Sequence, residues 1–511
     1  GTIWYNEVYG NEDAGIFATD GVTPEVLGNK CFGGKKSGIG IVNAGGRFMN
    51  NEAFGNHLSG IFVSSGKCLI SQCKIYENEG PGVWFMNPGQ PTIRDCDIYK
   101  NIGSGITVSE KADPIVSKNK IRNGVTQGVS VLDAGYGSFT HNEIFQNEKD
   151  GFAIKGAGTN PHIENNNIYS GISRGMWLTE MAIATIKSNN FYENAAAAIL
   201  ITDRAEPNIT ENEIYKNKKS GICVSRYGKG TIRNNKIHAN HKSGILITSG
   251  GDPIVTRNYF YKGLVDGIWV FDEGEGSITD NEFYDNGISG LAISAAGRPH
   301  VTKNTFHHSQ GYGCRVFDEG IGMLEVNKFF KNKLAGLHIS TNGNPVITKN
   351  NFEDEEVGLH FADDGFCFVE HNHFKKCVIG LLIQERSHPK ISKNRFEDNK
   401  YGLEVSRGGR GHIFDNIFAR HSGAGAHLLE GGPIVKKNRF VDGNEVGVLC
   451  SSEKRGSAKQ RAQTRWKFTT AALTESKVDD FQNLVKAAAS QVSKVEENIF
   501  EGNKLYGVQV C

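Results

Sequence analysis

The segment Asn235-Lys-Ile-His-Ala-Asn240-His-Lys-Ser-Gly244-Ile-Leu-Ile247 recurs in outline along almost the whole chain. Its last four residues, glycine followed by apolar–variable–apolar, return as Gly60-Ile-Phe-Val63, Gly105-Ile-Thr-Val108, Gly267-Ile-Trp-Val270, Gly336-Leu-His-Ile339 and Gly507-Val-Gln-Val510. The spacing is about 22–24 residues and there are about 21 units, a period that marks a solenoid. Positions one and three after the glycine are apolar in nearly every unit, as in Ile61 and Val63 or Ile106 and Val108, while position two varies. Alternation over so short a run predicts a strand with one and three inward and two outward. The glycine itself is expected to supply the positive φ of a tight bend.

Nine residues before the glycine stands an asparagine in most units, among them Asn119, Asn142, Asn166, Asn189, Asn212 and Asn235, with Cys73 and Cys96 as exceptions. Stacked asparagines at a bend can hydrogen-bond along the stacking axis and tolerate a left-handed backbone, which predicts a structural role. Five residues earlier, proline alternates with glycine: Pro114, Pro161, Pro207, Pro253 and Pro299 interleave with Gly137, Gly230, Gly276 and Gly322. Proline suits the first position of a strand, where its missing N–H costs little. Together these patterns predict an all-β chain, a right-handed parallel β-helix of about 21 coils stacked at about 4.8 Å, a rod roughly 100 Å long.

One break interrupts the period. Between Gly447 and Gly507 about 38 residues are inserted. The expected organisation is a β-helix over 1–451, an insertion over 452–495 and a final coil over 496–511. The insertion opens with the basic run Lys454 to Arg461. It continues with Val478, Phe481, Val485, Ala488 and Val492 at helical spacing, an amphipathic helix that either folds back onto the solenoid or docks on another chain.

The composition narrows the function classes. Lysine plus arginine (57) balance aspartate plus glutamate (56), a formal net charge of +1, so no long-range field gathers nucleic acid or an anionic membrane. No apolar run reaches the roughly 18 residues that span a bilayer. The ten cysteines contain no C-x-x-C pair, which points to reduced, buried thiols and an intracellular setting. Cys73 and Cys96 fall on equivalent positions of adjacent units, where an axial disulfide is geometrically conceivable. The chain begins and stops inside repeat units, as a piece of a longer protein would.

The variable position is where partners are sought. It reads Trp177, Leu200, Cys223, Leu246 and Trp269 on successive units, with Phe62 and Trp84 earlier. A contiguous apolar strip of this kind is a partner surface unless another segment covers it. The candidate partner-binding residues are therefore Phe62, Trp84, Trp177, Leu200, Leu246, Trp269 and, from the insertion, Phe481 and Val485. Further along, the same row turns polar, with His338 and His360 on adjacent units. Two histidines without a third ligand make a weak zinc site and are read as a solvated pair. Carboxylates recur five residues after the glycine (Glu110, Asp133, Glu180, Asp203, Asp363, Glu385). Pairs of them could serve a glycosidase, but aspartate also favours turns. No catalytic residue, metal or cofactor is assigned. Protein partners are expected, neither nucleic acid nor membrane is, and carbohydrate stands second.

The pattern Asn344-Pro-Val-Ile-Thr-Lys-Asn-Asn-Phe352, with Asn-x-Ile/Phe-x-x-Asn-x-x-x-Gly-Ile/Leu, resembles the β-helix of the F-box-only ubiquitin-ligase adaptors. It is also similar to the β-helical part of the SHC-binding spindle and midbody protein. In the F-box proteins that β-helix presents substrate, and catalysis belongs to partners. The 511 residues hold neither a helical F-box segment nor a Cys/His-rich zinc module. The resemblance therefore implies, for this stretch, a non-enzymatic protein-interaction scaffold in the cytoplasm, cytoskeletal or ciliary. The alternatives are the substrate-recognition part of such an adaptor and a polysaccharide lyase, epimerase or hydrolase.

Overall fold

A computed structural model describes residues 1–451 and 493–511. They form 63 short strands at three per coil, hence 21 coils, and every strand pairing is parallel. Two compact units divide the chain, Gly1–Tyr259 and Phe260–Cys511. The helix expected at Phe481 and Val485 lies outside the described residues.

One coil of the first unit shows how the sequence becomes structure. Its strands are Ile115–Ser117, Lys120–Arg122 and Val129–Val131. The first two bury their middle residues, Val116 and Ile121, and the third buries its outer two, Val129 and Val131. Each pairs one coil on, as Val116↔Phe139, Ile121↔Ile144 and Val129↔Phe152. Four inward rows thus fill the core, and strict register keeps like residues stacked. In the second unit one row is a column of phenylalanines, Phe283, Phe306, Phe329, Phe352, Phe374 and Phe396, whose ring centroids lie 4.7–4.9 Å apart.

The bends carry the strain. Lys118 (φ 55°) and Asn123 (φ 53°) turn the chain after the first and second strands. A side chain in this left-handed region is held there at some cost. What holds it is the residue after Lys118. The backbone N–H and Nδ2 of Asn119 both donate to Asn142 Oδ1, at 2.9 and 3.1 Å, and Nδ2 also donates to the Ile93 carbonyl at 3.1 Å. The asparagine ladder is therefore as expected, but the left-handed residue is its predecessor, because the ladder residue must aim its amide inward and along the axis.

A second ladder runs at the next bend. In the first unit Asn194 donates from N and Nδ2 to Asn217 Oδ1 at 3.1 and 3.0 Å. In the second unit that position is filled by Asn332, Glu355, Cys377, Asn399 and His421 in turn, all buried. At the first bend Cys73 and Cys96 continue the ladder with sulfur. Cys73 N–H donates to Cys96 Sγ at 3.3 Å, Cys73 Sγ reaches the Phe48 and Ser71 carbonyls, and Cys96 N–H donates to Asn119 Oδ1 at 3.0 Å. Both are free thiols, so the axial disulfide is not formed. A thiol imitates the amide because it too donates inward while accepting from the coil before.

The glycine before the third strand has a different cause from the one expected. Gly60, Gly105 and Gly267 do not have positive φ. A Cβ on Gly267 would instead stand 2.5 Å from the Gly290 carbonyl oxygen and 2.7 Å from the Phe283 ring. Close stacking of coils, not backbone twist, disfavours a side chain here. Positive φ belongs to the glycines that alternate with proline: Gly230 has φ +111°, and a Cβ there would lie 2.5 Å from the Pro207 carbonyl oxygen.

Candidate partner-binding face

The outward row of the third sheet places most of the expected residues together. In the first unit Phe62↔Trp84, Trp84↔Thr107, Trp177↔Leu200, Leu200↔Cys223 and Cys223↔Leu246 are direct cross-coil neighbours. All six apolar members are half-buried. Phe62 and Trp84 meet edge to face, 5.5 Å between centroids. Ala153, which joins Trp177 to Ser130 in the row, is fully buried.

The tryptophans share one geometry that the sequence did not announce. Trp84 Nε1 donates to Ser109 Oγ at 3.1 Å, Trp177 Nε1 to Thr202 Oγ1 at 3.1 Å and Trp269 Nε1 to Ser294 Oγ at 3.0 Å. Each acceptor is 25 residues on and immediately follows the next coil's third strand. The indole therefore lies along the axis with its polar atom satisfied, and what remains for a partner is ring surface. The signal was present as a hydroxyl 25 residues after each of these three tryptophans.

Trp177 is also bracketed by charge. Lys155 Nζ lies 4.5 Å and Arg174 Cζ 4.8 Å from its ring. Arg174 is fixed by Asp150, with Nε–Oδ1 at 2.6 Å and Nη2–Oδ2 at 3.1 Å, and Asp150 is 1% exposed. The strip is thus apolar at Leu200, Cys223 and Leu246 and cationic at its Trp177 end. Trp269 belongs to the second unit, where Phe271 stacks on it at 4.6 Å and Ala292 is its neighbour in the row.

In the second unit the row turns into a half-buried polar network. Asp266 is fully buried and accepts from Ser289 Oγ at 2.5 Å and Arg315 Nη2 at 3.0 Å. Arg315 lies over Phe317 at 4.7 Å. Tyr312 stacks on His338 at 4.6 Å, and His338 meets His360 at 4.9 Å. The two imidazoles are not the solvated pair expected. Burial, then the neighbouring His360 and Arg315, pushes His338 down to about 3, and burial likewise lowers His360. Both are neutral at physiological pH. Among the described residues no group of three or more His, Cys, Asp or Glu side chains could hold a metal ion.

The recurrent carboxylates sit in turns. Glu110, Asp133, Glu180, Asp203, Asp363 and Glu385 all have φ between 47° and 57°, at the corner between the third and first strands. Asp203 accepts from Thr179 Oγ1 at 2.6 Å, which holds it below the usual carboxylate range, and pairs with Arg226 at 3.2 Å. Their recurrence reflects turn geometry, which aspartate tolerates.

Comparison with known proteins agrees with this architecture. The family described as right-handed β-helix region matches residues 43–168, 170–321 and 289–440. Among curated proteins none matches the chain. Among solved structures the chain is similar to a variant of the periplasmic alginate epimerase AlgG, at 14% identity and a TM-score of 0.38, over 58% of this chain and 73% of that one. It is also similar to the A-module of the Azotobacter vinelandii mannuronan C-5 epimerase AlgE4, at 16% identity and a TM-score of 0.27, over 58% of this chain and 87% of that one. At such identities and TM-scores these two likenesses carry no argument about this chain. With the family pattern covering most of residues 43–440, the chain belongs to the right-handed β-helix family.

Proposed function

We propose that this solenoid is a non-enzymatic protein-interaction scaffold that engages partners through the third-sheet face of its first unit. The supporting observation is the in-register row Trp177, Leu200, Cys223 and Leu246, which keeps apolar side chains half-exposed on outward positions held by Thr107 and Ser130 elsewhere. Four coils at about 4.8 Å give the strip a span of about 14 Å. A rigid, half-exposed apolar patch with a tryptophan at one end suits a protein hot spot. Its ten unpaired cysteines suit the cytoplasm, with the cytoskeleton or cilium as the setting that the family resemblance suggests.

The test compares the full chain with Leu200→Glu/Leu246→Glu in quantitative capture from cell extract. Loss of specific partners at an unchanged melting temperature supports the reading, and identical capture contradicts it. Ligase subunits among the captured proteins would place the chain as the substrate-recognition part of an F-box adaptor.

A second reading, polysaccharide modification, has one observation in its favour. A carboxylate, a guanidinium, a phenol and an imidazole (Asp266, Arg315, Tyr312 and His338) gather on one sheet face of the second unit. Turnover of an acidic or neutral glycan, lost in His338→Ala, would establish it; the absence of any turnover across such a panel would remove it.

A further inference from the structure

On the first sheet of the second unit, one outward row reads Met323, Val346, Phe368, Lys390, His412 and Ile434 on successive coils. Its chemistry changes midway. Met323, Val346 and Phe368 are exposed apolar side chains, 40%, 42% and 53% accessible. The next two coils present Lys390 and His412, and just before those strands stand His388 and Arg410. With Arg386 these line an open depression of about 430 Å³, closed by Gly411, Gly432 and Ile434. Two of its lining residues are glycines. Gly411 has φ +141° and sits over Pro389, where a Cβ would come 2.9 Å from the carbonyl oxygen.

The charge in this hollow is unbalanced. Arg386 is claimed by Asp364, at 3.0 and 2.6 Å, with Asp363 at 3.7 Å. His388 stacks on Phe366 at 5.3 Å, and Lys390 Nζ lies 5.2 Å from the Phe368 ring. Lys390, Arg410, His388 and His412 form no ion pair among the described residues, and all four are exposed. Some other cross-coil positions on the same sheet are neutralised, as by Lys349–Glu325 at 2.9 Å and Lys436–Glu496 at 3.8 Å. Lys390 and Arg410, on adjacent coils about 4.8 Å apart, repel each other unless an anion sits between them.

We propose that the apolar row and the basic hollow together form a binding site for an extended acidic peptide segment. Its apolar side chains would lie over Met323, Val346 and Phe368, and its carboxylates or phosphates in the hollow. The run from Met323 to His412 is about 19 Å, the reach of an extended segment of about six residues. Two of the three apolar positions, Met323 and Val346, are aliphatic and give burial to peptide side chains; only Phe368 offers a ring face, where a base or sugar would want several, which favours a peptide over nucleic acid or glycan. The site uses a different sheet and a different unit from the third-sheet strip and stands or falls independently of it.

The experiment is fluorescence polarisation on the full chain. The probe is a labelled peptide of about ten residues carrying alternating valine and phenylalanine followed by three glutamates. Counterparts replace the glutamates by phosphoserine or by glutamine, and single-stranded oligouridine is a fourth probe. The glutamate or phosphoserine peptide is expected to bind and to weaken with added salt, the stronger of the two identifying the natural anion. The glutamine peptide should bind about tenfold or more weakly, and Lys390→Gln/Arg410→Gln should weaken the acidic peptide to a similar degree with the melting temperature unchanged. Phe368→Ser should weaken acidic and neutral peptides alike. Equal binding of the glutamine peptide, indifference to the double substitution, or oligouridine binding tighter than either acidic peptide would each overturn the assignment.

Discussion

Asn332 reaches Glu355 twice across one coil, from its backbone N–H to Oε2 at 2.9 Å and from Nδ2 to Oε1 at 2.7 Å. Glu355 thereby takes an asparagine's place in the second ladder, almost wholly buried. Burial outweighs the two hydrogen bonds and raises its carboxyl to about 8, against an ordinary 4.5. An acid whose folded value is raised favours the protonated fold. Its contribution to stability is complete below pH 4.5 and is lost as pH climbs from there through 8. Glu355→Gln should therefore leave the melting temperature near that of the parent at pH 5 and raise it at pH 9. The gain would be on the order of a few kcal/mol at most. Thermal melts across this range check it, and equal pH profiles for the two proteins would contradict the burial of a proton at this rung.

The buried thiols give a chemical readout. Burial raises Cys31, Cys68 and Cys377 to about 12, and Cys96 is held protonated by the adjacent Cys73 thiol and by burial. Only thiolates alkylate readily. Cys511, the one exposed thiol, should be modified by iodoacetamide in the native protein well before any of these four. Peptide mass spectrometry of a short time course decides it. Early labelling of Cys96 or Cys31 would mean that the coils open in solution.

Coil stacking predicts an asymmetry between glycine and alanine. Gly267→Ala forces a methyl against the Gly290 carbonyl and the Phe283 ring and should cost about 1–3 kcal/mol. Ala198 already occupies the equivalent place in another coil, fully buried. Ala198→Gly should cost no more than about 1 kcal/mol, through backbone entropy. Equal losses in urea melts of the two variants would refute a steric origin for the repeat's glycine.

Much of this was legible in the chain. Ile61 and Val63 announced an inward pair by alternation, and Asn119 announced a ladder by recurrence. What escaped depends on axial contacts between residues 22 to 26 apart. Gly267 looked like a bend residue because the chain shows no neighbour for its α-carbon, while the fold places the Gly290 carbonyl there. His338 looked solvated because its outward position is visible in the repeat, but Tyr312 and His360, which cover it, come from adjoining coils. The hollow lined by Lys390 and Arg410 carries no mark in the repeat, because its residues come together only when successive coils stack. Phe481 and Val485 lie outside the described residues and remain an expectation of the sequence.

The tryptophan geometry separates anchoring from folding. Trp177→Phe keeps ring area but loses the donor to Thr202, and should cost about 1 kcal/mol of stability while leaving partner capture largely intact. Leu200→Glu should do the reverse, removing capture with little change in the melt. Differential scanning calorimetry beside quantitative capture reads both, and a common loss in the two variants would assign the strip to the fold alone.

The most direct measurement is carbene footprinting of the full chain, free and saturated with a captured partner. Protection is predicted to fall on Trp177, Leu200, Cys223 and Leu246, with the Phe62–Trp84 pair protected or unchanged. Unaltered labelling of Leu200 and Leu246 in a saturated complex would contradict the account.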